Sequence, residues 1–333
     1  QPLTRVPAAP ATAPWKHYAL DTLFQFKDNP FRYFYVPWQL ARVLDEFKPD
    51  LVHVEQEPES LSLLQLSAFK ARYGYRLIFI AWENVNPLRL GYLFRKLNFL
   101  AADAGIVGNQ AALERLRRFG FKKRLDLIPQ YGFGITNSEP SPREPGSPLV
   151  AGFVGRLVAQ KGVRTLVEAA RQLGNVRIRI AGDGPLADQF RTEPNVEVLG
   201  MIPRQELQSY WNSIDVLVLP SISTIKSTEQ FGRVLVEAMG AGVPVIGSSS
   251  GAIPEVIGDA GLVFPEGNAG ALADALRRIR DDEELRADLV RRGYERLQRH
   301  YSYDVIIGRT VDFYHQIMND MSLKRQPSSH GSV

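Results

Sequence analysis

Two glutamates eight residues apart, Glu229 and Glu237, bound the stretch with the most chemical content, EQFGRVLVEAMGAG over residues 229–242. Glu229 heads a turn with Gln230, Phe231 and Gly232, and Arg233 to Met239 has a helical pattern. Gly240 and Gly242 stop it, because glycine enters the left-handed cap without a side-chain clash. The pattern predicts a helix N-terminus at Gly232. The first amides of a helix lack carbonyl partners, and the helix dipole adds to their attraction for an anion, a phosphate above all. At about 1.5 Å per residue, eight residues of helix would separate the carboxylates by roughly 12 Å. Carboxylates accept hydrogen bonds from hydroxyls. The stretch therefore reads as the floor of a site for a phosphate flanked by two hydroxyl-bearing rings.

Two cations stand upstream. Gly155-Arg156 and Lys161-Gly162 fall where an apolar strand ends and a helix begins, and parallel sheets bind ligands at the carboxyl ends of their strands. Arg156 and Lys161 suit the neutralisation of charge on a departing diphosphate. Gly182-Asp183-Gly184-Pro185 follows the next strand and reads first as a structural turn. Four further polar residues end or follow strands: His53, Glu83 with Asn84, and Asn109. They are candidate sugar or acceptor contacts, although a lone histidine on an apolar strand is more often a satisfied core residue. Glu55, Glu57 and Glu59 alternate along a loop and read as solvated or acceptor-facing acids, not as a metal cluster.

Taken together, these segments resemble the E-x7-E motif and its companions in the family 4 retaining glycosyltransferases, which have the GT-B fold. The companions are Gly155-Arg-Leu-Val-Ala-Gln-Lys-Gly, Gly182-Asp-Gly-Pro, Gly242-Val-Pro-Val-Ile-Gly and Gly251-Ala-Ile-Pro-Glu-Val-Ile, in the family's order. The likeness is close from Val150 to about Phe313 and looser from Pro49 to Phe133. It implies transfer of a hexose from a nucleoside diphosphate sugar to a glycan or lipid-linked acceptor hydroxyl, with retention. It makes Arg156, Lys161 and Glu229 catalytic, with Glu229 orienting the sugar. It assigns donor binding to Gly155, Gly182, Met201, Ile202, Gln230, Phe231, Gly232, Arg233, Val234 and Glu237. Of these, Glu237 would hold the ribose, and Met201-Ile202 belong to the segment whose backbone reads the base. No cofactor and no metal are expected. Where members commonly place a histidine facing the sugar, this chain has Glu83. The family's first domain opens with a strand, a Gly-rich loop and a helix. No such unit precedes Asp50, and residues 1–30 contain no glycine. Either the start of the domain is missing from the chain or the domain is a reduced one. Two alternatives keep the fold: a nucleotide-sugar-binding scaffold without turnover, and an epimerase-like enzyme.

The elements that must position these residues alternate, strand then helix, which implies parallel sheets. The expected fold is α/β, of GT-B type: two doubly wound Rossmann-like domains facing across a cleft. Residues 1–134 form the first domain and 135–148 a Pro- and Ser-rich linker. Residues 149–303 form the second domain and 304–320 a helix crossing back to the first, and the tail from 321 is expected to be disordered. Amphipathic helices are expected at 35–47, with Leu40, Val43, Leu44 and Phe47 on one face, and at 60–73, capped by Ser60.

The 333 residues are 44% hydrophobic and 23% charged, ordinary for a folded domain pair. No apolar run reaches the roughly 18 residues of a membrane span. The absence of cysteine excludes disulfides and Cys-ligated zinc and fits a cytoplasmic protein. Charge is uneven: 19 Lys and Arg against 14 Asp and Glu in residues 1–146, and 21 against 22 afterwards. A basic first half suits an anionic partner. Nucleic acid is disfavoured, since the aromatic and basic interleaving of the usual modules is missing. Residues 87–100 set Arg89, Arg95 and Lys96 among bulky apolar residues, as interfacial helices do. Peripheral contact with the inner face of an anionic membrane is one reading. A core helix with its basic residues in water is the other.

Overall fold

The computed structural model describes residues 16–25, 33–83, 91–135, 146–225 and 227–324. A short antiparallel pair, β1 (Thr22–Gln25) and β2 (Tyr33–Tyr35), precedes the alternating part; no signal in the sequence had pointed to it. Next come α1 (Pro37–Phe47), β3 (Leu51–Val54), α2 (Leu61–Tyr73), β4 (Arg76–Ala81), α3 (Gly91–Ala101), β5 (Ala104–Val107), α4 (Gln110–Arg118) and β6 (Arg124–Leu127). Strands β3 to β6 form one sheet in chain order. The Ser60 side chain accepts from the Leu63 amide at 3.2 Å, the N-cap expected of it. In α1, Leu40 and Leu44 are buried, whereas Phe47 is 63% exposed, so the apolar face is one turn shorter than its pattern.

The second sheet carries the site. Its strands are β7 (Leu149–Val154), β8 (Val176–Ala181), β9 (Val196–Gly200), β10 (Val216–Leu219), β11 (Val245–Ser248) and β12 (Gly261–Phe264). They lie in the order β12-β11-β10-β7-β8-β9, with parallel pairing throughout. Burial on both faces explains the near-continuous apolar runs of β7 and β10, whereas β8 and β9 interleave Arg177, Arg179 and Glu197 with their apolar residues. Leu149, Ala151 and Phe153 of β7 and Val216 and Val218 of β10 face a core closed by α5 (Val163–Leu173) and α10 (Ala269–Asp281). Their neighbours Leu217 and Leu219 face the opposite core, against α8 (Arg233–Gly240) and α9 (Ile253–Ile257). Each fully buried Leu or Phe contributes about 1.5–3 kcal/mol, and this layering fixes the strand ends. The short helices α6 (Ala187–Arg191) and α7 (Leu207–Trp211) complete the crossovers, followed at the end by α11 (Glu283–Arg296), a π turn over Leu297–Tyr301 and α12 (Tyr303–Lys324). Helix α12 runs past the residue-321 boundary expected for a disordered tail.

Two compact units result: Gln1–Ala81 with Pro87–Gly105 and Ile317–Val333, and Trp82–Asn86 with Ile106–Gln316. The whole stretch 106–134, grouped with the first domain in the sequence, thus belongs to the second unit. The reason lies in its contacts there. Phe133 stacks on Phe231 at 6.2 Å, the Gln110 amide donates to Glu255 at 3.0 Å, and Arg309 donates to the Leu127 carbonyl.

Candidate active site

The order of the second sheet reverses between β7 and β10: the chain builds outward from β7 through β8 to β9, then returns to start β10 on the other side. A crevice opens at such a switch point, beyond the carboxyl ends of the two strands. The loop after β7 brings Arg156 and Lys161 to it, and the loop after β10 brings Ser221, Thr228, Glu229 and Gln230. Together they line a cavity of about 460 Å³.

Lys161 closes a one-turn 3-10 helix, Ala159–Lys161. Gly162 follows at φ 65°, and a Cβ there would lie 1.8 Å from the Pro220 carbonyl oxygen, so only glycine lets the two loops pack this closely. The Ile222 amide donates to the Gln160 carbonyl at 2.8 Å and ties the same loops. Across them, Lys161 Nζ lies 2.6 Å from Glu229 Oε2, and the Ser221 hydroxyl donates to that oxygen at 2.8 Å. The Glu229 side chain is 14% exposed. Arg156 is exposed on the cavity wall. The Thr228 hydroxyl is buried without a hydrogen-bond partner.

Helix α8 begins at Gly232, which holds φ 80° as its N-cap. Glu229 therefore precedes the helix, and the helical rise of about 1.5 Å per residue applies only from Gly232 to Glu237. Glu237 stands one turn in, 3.7 Å from Arg233 of its own helix; Arg233 also lies over the Tyr131 ring at 4.8 Å. Neither lines the cavity. The side chain of Phe231 is buried between Phe133 and Tyr301, so it offers a ligand only its backbone. Val234 and Ile202 are partly buried against the core on the α8 face of the sheet, and Met201 is 82% exposed. Gly155 and Gly182 face each other: the Gly155 amide donates to Ala181, and a Cβ on Gly182 would lie 1.9 Å from the Gly155 oxygen.

The remaining candidates are placed elsewhere. Asn109 caps α4 by accepting from the Ala112 amide at 2.8 Å, and its own amide donates to Trp82 and Gln230 carbonyls, each at 3.0 Å. The Glu83 carbonyl accepts from Arg115 at 3.1 Å; Asn84 lies outside the described residues. His53 sits on β3, where burial pushes its imidazole below the ordinary value, only partly offset by Glu55.

Two expectations are corrected. Glu57 is buried, and Glu59 pairs with Arg95 at 3.1 Å with both side chains under 10% exposed, so the 55–59 loop is not a run of solvated acids. Arg95 accordingly faces inward, neither to water nor to lipid. The face that α3 turns outward carries Tyr92, Leu93, Leu97 and Leu100, 43–72% exposed, and Lys96. Ser221 was missed. Its signal was present: a polar residue just past the carboxyl end of an apolar strand, VLVL-PS.

Residues 135–296 match the family glycosyl transferases group 1. WcaL of Escherichia coli (strain K12), named as a glycosyltransferase of colanic acid biosynthesis, is 32% identical over 209 residues, 58% of this chain and 51% of WcaL. The chain thus spans about half the length of that relative. The lipopolysaccharide core biosynthesis glycosyltransferase LpsD of Rhizobium meliloti (strain 1021) is 29% identical over 293 residues, 84% of this chain and 79% of LpsD. Sucrose-phosphate synthase from Thermosynechococcus elongatus superposes with a TM-score of 0.70 at 22% identity, over 85% of this chain and 77% of that one. The fold is the α/β, parallel-sheet architecture of GT-B glycosyltransferases.

Proposed function

We propose that the chain is a retaining glycosyltransferase that moves a hexose from a nucleoside diphosphate sugar to a glycan or lipid-linked acceptor hydroxyl. The observation that carries this reading is the meeting of Arg156, Lys161, Ser221 and Glu229 around one cavity at the switch point of the second sheet. Solved structures of Anabaena HepE, 18–19% identical and alike in fold, hold UDP, UDP with glucose, and UDP-glucose. They support a nucleotide sugar as the donor.

The anomeric carbon loses its bond to the diphosphate oxygen. The acceptor oxygen bonds that carbon from the same face, and its proton passes to the departing diphosphate. Arg156 and Lys161 offset the charge that develops, which is where preorganised cations lower a barrier most. Glu229 orients the sugar hydroxyls. Glu237 holds the ribose, after Arg233 has turned from it toward the diphosphate. No metal is called for in this scheme. As at any helix start, the opening amides of α8 lack carbonyl partners in their own helix, and they supply the anion site.

A panel of nucleoside diphosphate sugars, read by thermal shift and calorimetry, tests the donor. NMR of the product's anomeric configuration tests retention. A scaffold would bind without releasing nucleoside diphosphate, and an inverted product would sink the retaining mechanism.

We further propose that α3 rests on an anionic membrane. Its outward face is apolar, and residues 87–101 carry Arg and Lys but no Asp or Glu. Among the described residues no helix is long and apolar enough to cross a bilayer. Such contact is peripheral and depends on buried apolar area more than on charge.

A further inference from the structure

The polar contacts of Glu229 continue from the cavity wall, through Ser221, into the protein. Ser221 is 3% exposed. Its hydroxyl donates to Glu229 Oε2, and its carbonyl accepts from the Ser248 hydroxyl at 2.5 Å. Ser248 ends β11 and is fully buried. The loop that follows also holds the backbone of Glu229. The Ala252 amide donates to the Glu229 carbonyl at 2.9 Å, and Gly251 packs so close that a Cβ would lie 2.0 Å from that oxygen. The ends of β10 and β11 thus grip Glu229 by side chain and main chain together.

We infer that Ser221, backed by Ser248, is a positioning residue for Glu229; the inference rests on the donor-site reading above. The reason is a conflict in the duties of Lys161. In this structure Lys161 shares Glu229 Oε2 with Ser221. In the loaded site the same ammonium is needed at the diphosphate, and its four-carbon stem allows it to turn. When it turns, Glu229 Oε2 loses the lysine as a donor. Ser221 cannot follow, because its side chain is one bond long and its own carbonyl is held by Ser248. It keeps the carboxylate aimed while the lysine changes partner. The hydroxyl therefore matters most in the loaded state, and its loss should appear in turnover before it appears in nucleotide affinity.

The test uses the whole chain with Ser221→Ala, Ser221→Thr and Ser248→Ala. Affinity is read by calorimetry with the nucleoside diphosphate that the donor panel selects, and turnover by release of that nucleotide from its sugar. Losing one hydrogen bond to a charged group lowers kcat about tenfold in Ser221→Ala, with Kd for the nucleotide changed less than about twofold. Ser221→Thr restores most of the rate, and Ser248→Ala falls between. Ser221→Ala turning over like the wild type, or losing affinity and rate alike without rescue by threonine, overturns the role. A second arm needs no donor. Thermal unfolding of Ser221→Ala is compared in the wild-type and Glu229→Leu backgrounds. A Tm loss much smaller in the second background supports the contact, and equal losses overturn it. A wild-type chain that binds no nucleoside diphosphate overturns the donor reading, and with it the positioning role inferred for Ser221, whatever the unfolding arm gives.

Discussion

Gly162→Ala is the smallest change that tests how the two halves of the site are held together. The perturbation is one methyl group. Two costs arise from it. The residue sits at φ 65°, and an L-residue in that region costs about 1–2 kcal/mol. The methyl would also stand 1.8 Å from the Pro220 oxygen and 2.8 Å from the Pro220 carbon. Both are backbone atoms, so no flexible side chain can swing aside; the β10 loop itself must move. Overpacking of this kind costs about 1–3 kcal/mol. The sum, roughly 2–5 kcal/mol, lowers Tm by roughly 5–15 °C for a unit of this size.

Gly267→Ala is the control. Gly267 lies in the same unit at φ 75°, with nothing within 4 Å of its would-be Cβ. Any gain from stiffening the unfolded chain is common to both variants. Urea unfolding of the two should therefore differ by the close-approach cost alone, about 1–3 kcal/mol. A movement of Pro220 also carries Ser221 with it, so the folded fraction of Gly162→Ala should turn over more slowly than Gly267→Ala. Equal stability and equal turnover would refute the argument that contact between these two loops sets the site.

Glu237→Ala should weaken nucleoside diphosphate binding by about 1–3 kcal/mol, while Glu229→Gln should lower kcat more than affinity; normal turnover by both would mean that the site is misplaced. Arg95→Ala should cost about 3–5 kcal/mol, since it removes one partner of an ion pair whose two side chains are under 10% exposed, and should not selectively weaken vesicle binding. Leu93→Ser with Leu97→Ser should instead abolish co-sedimentation with anionic vesicles at unchanged stability; retained binding would point to a soluble acceptor. His53 is pushed below its ordinary value of 6.5 by burial, so the unfolded chain binds the extra proton first. Its contribution to stability is complete above pH 6.5 and is lost as pH falls from there through the lower folded value. His300, also lowered by burial and by Arg296, acts in the same sense. Urea titrations of wild type and His53→Asn between about pH 5 and 7.5 should show a shallower slope in the variant; parallel slopes would contradict the assignment.

The second sheet was legible because its central strands β7 and β10 are apolar runs, and β8 and β9 alternate apolar with charged residues at the period of a strand. Runs buried on both faces, such as Leu149–Val154 in β7 and Val216–Leu219 in β10, leave no ambiguity of period. The first unit was harder to read. Strands β1 and β2 are four and three residues long, too short for a period to register. Arg95 of α3 was expected on the outer face because amphipathicity states that a helix has two faces, not which residues are turned inward. Pairing decides that: Arg95 is buried where Glu59, thirty-six residues earlier, meets it. A tertiary ion pair leaves no mark in the spacing of either segment.

The site divides along the same line. Lys161 and Glu229 are sixty-eight residues apart, and no local pattern joins them. Strand order does so, because β10 returns to the side of β7 and sets the two loops edge to edge at one end of the sheet. Motifs in the sequence therefore pointed to both partners but not to their contact. Ser221 was passed over because its importance is wholly relational. A serine after a strand is commonplace; a buried serine whose hydroxyl meets a carboxylate and whose carbonyl is held by Ser248 requires β10 and β11 to be neighbours in register. What the chain places together through topology, and not through spacing, is where the catalytic geometry has to be sought.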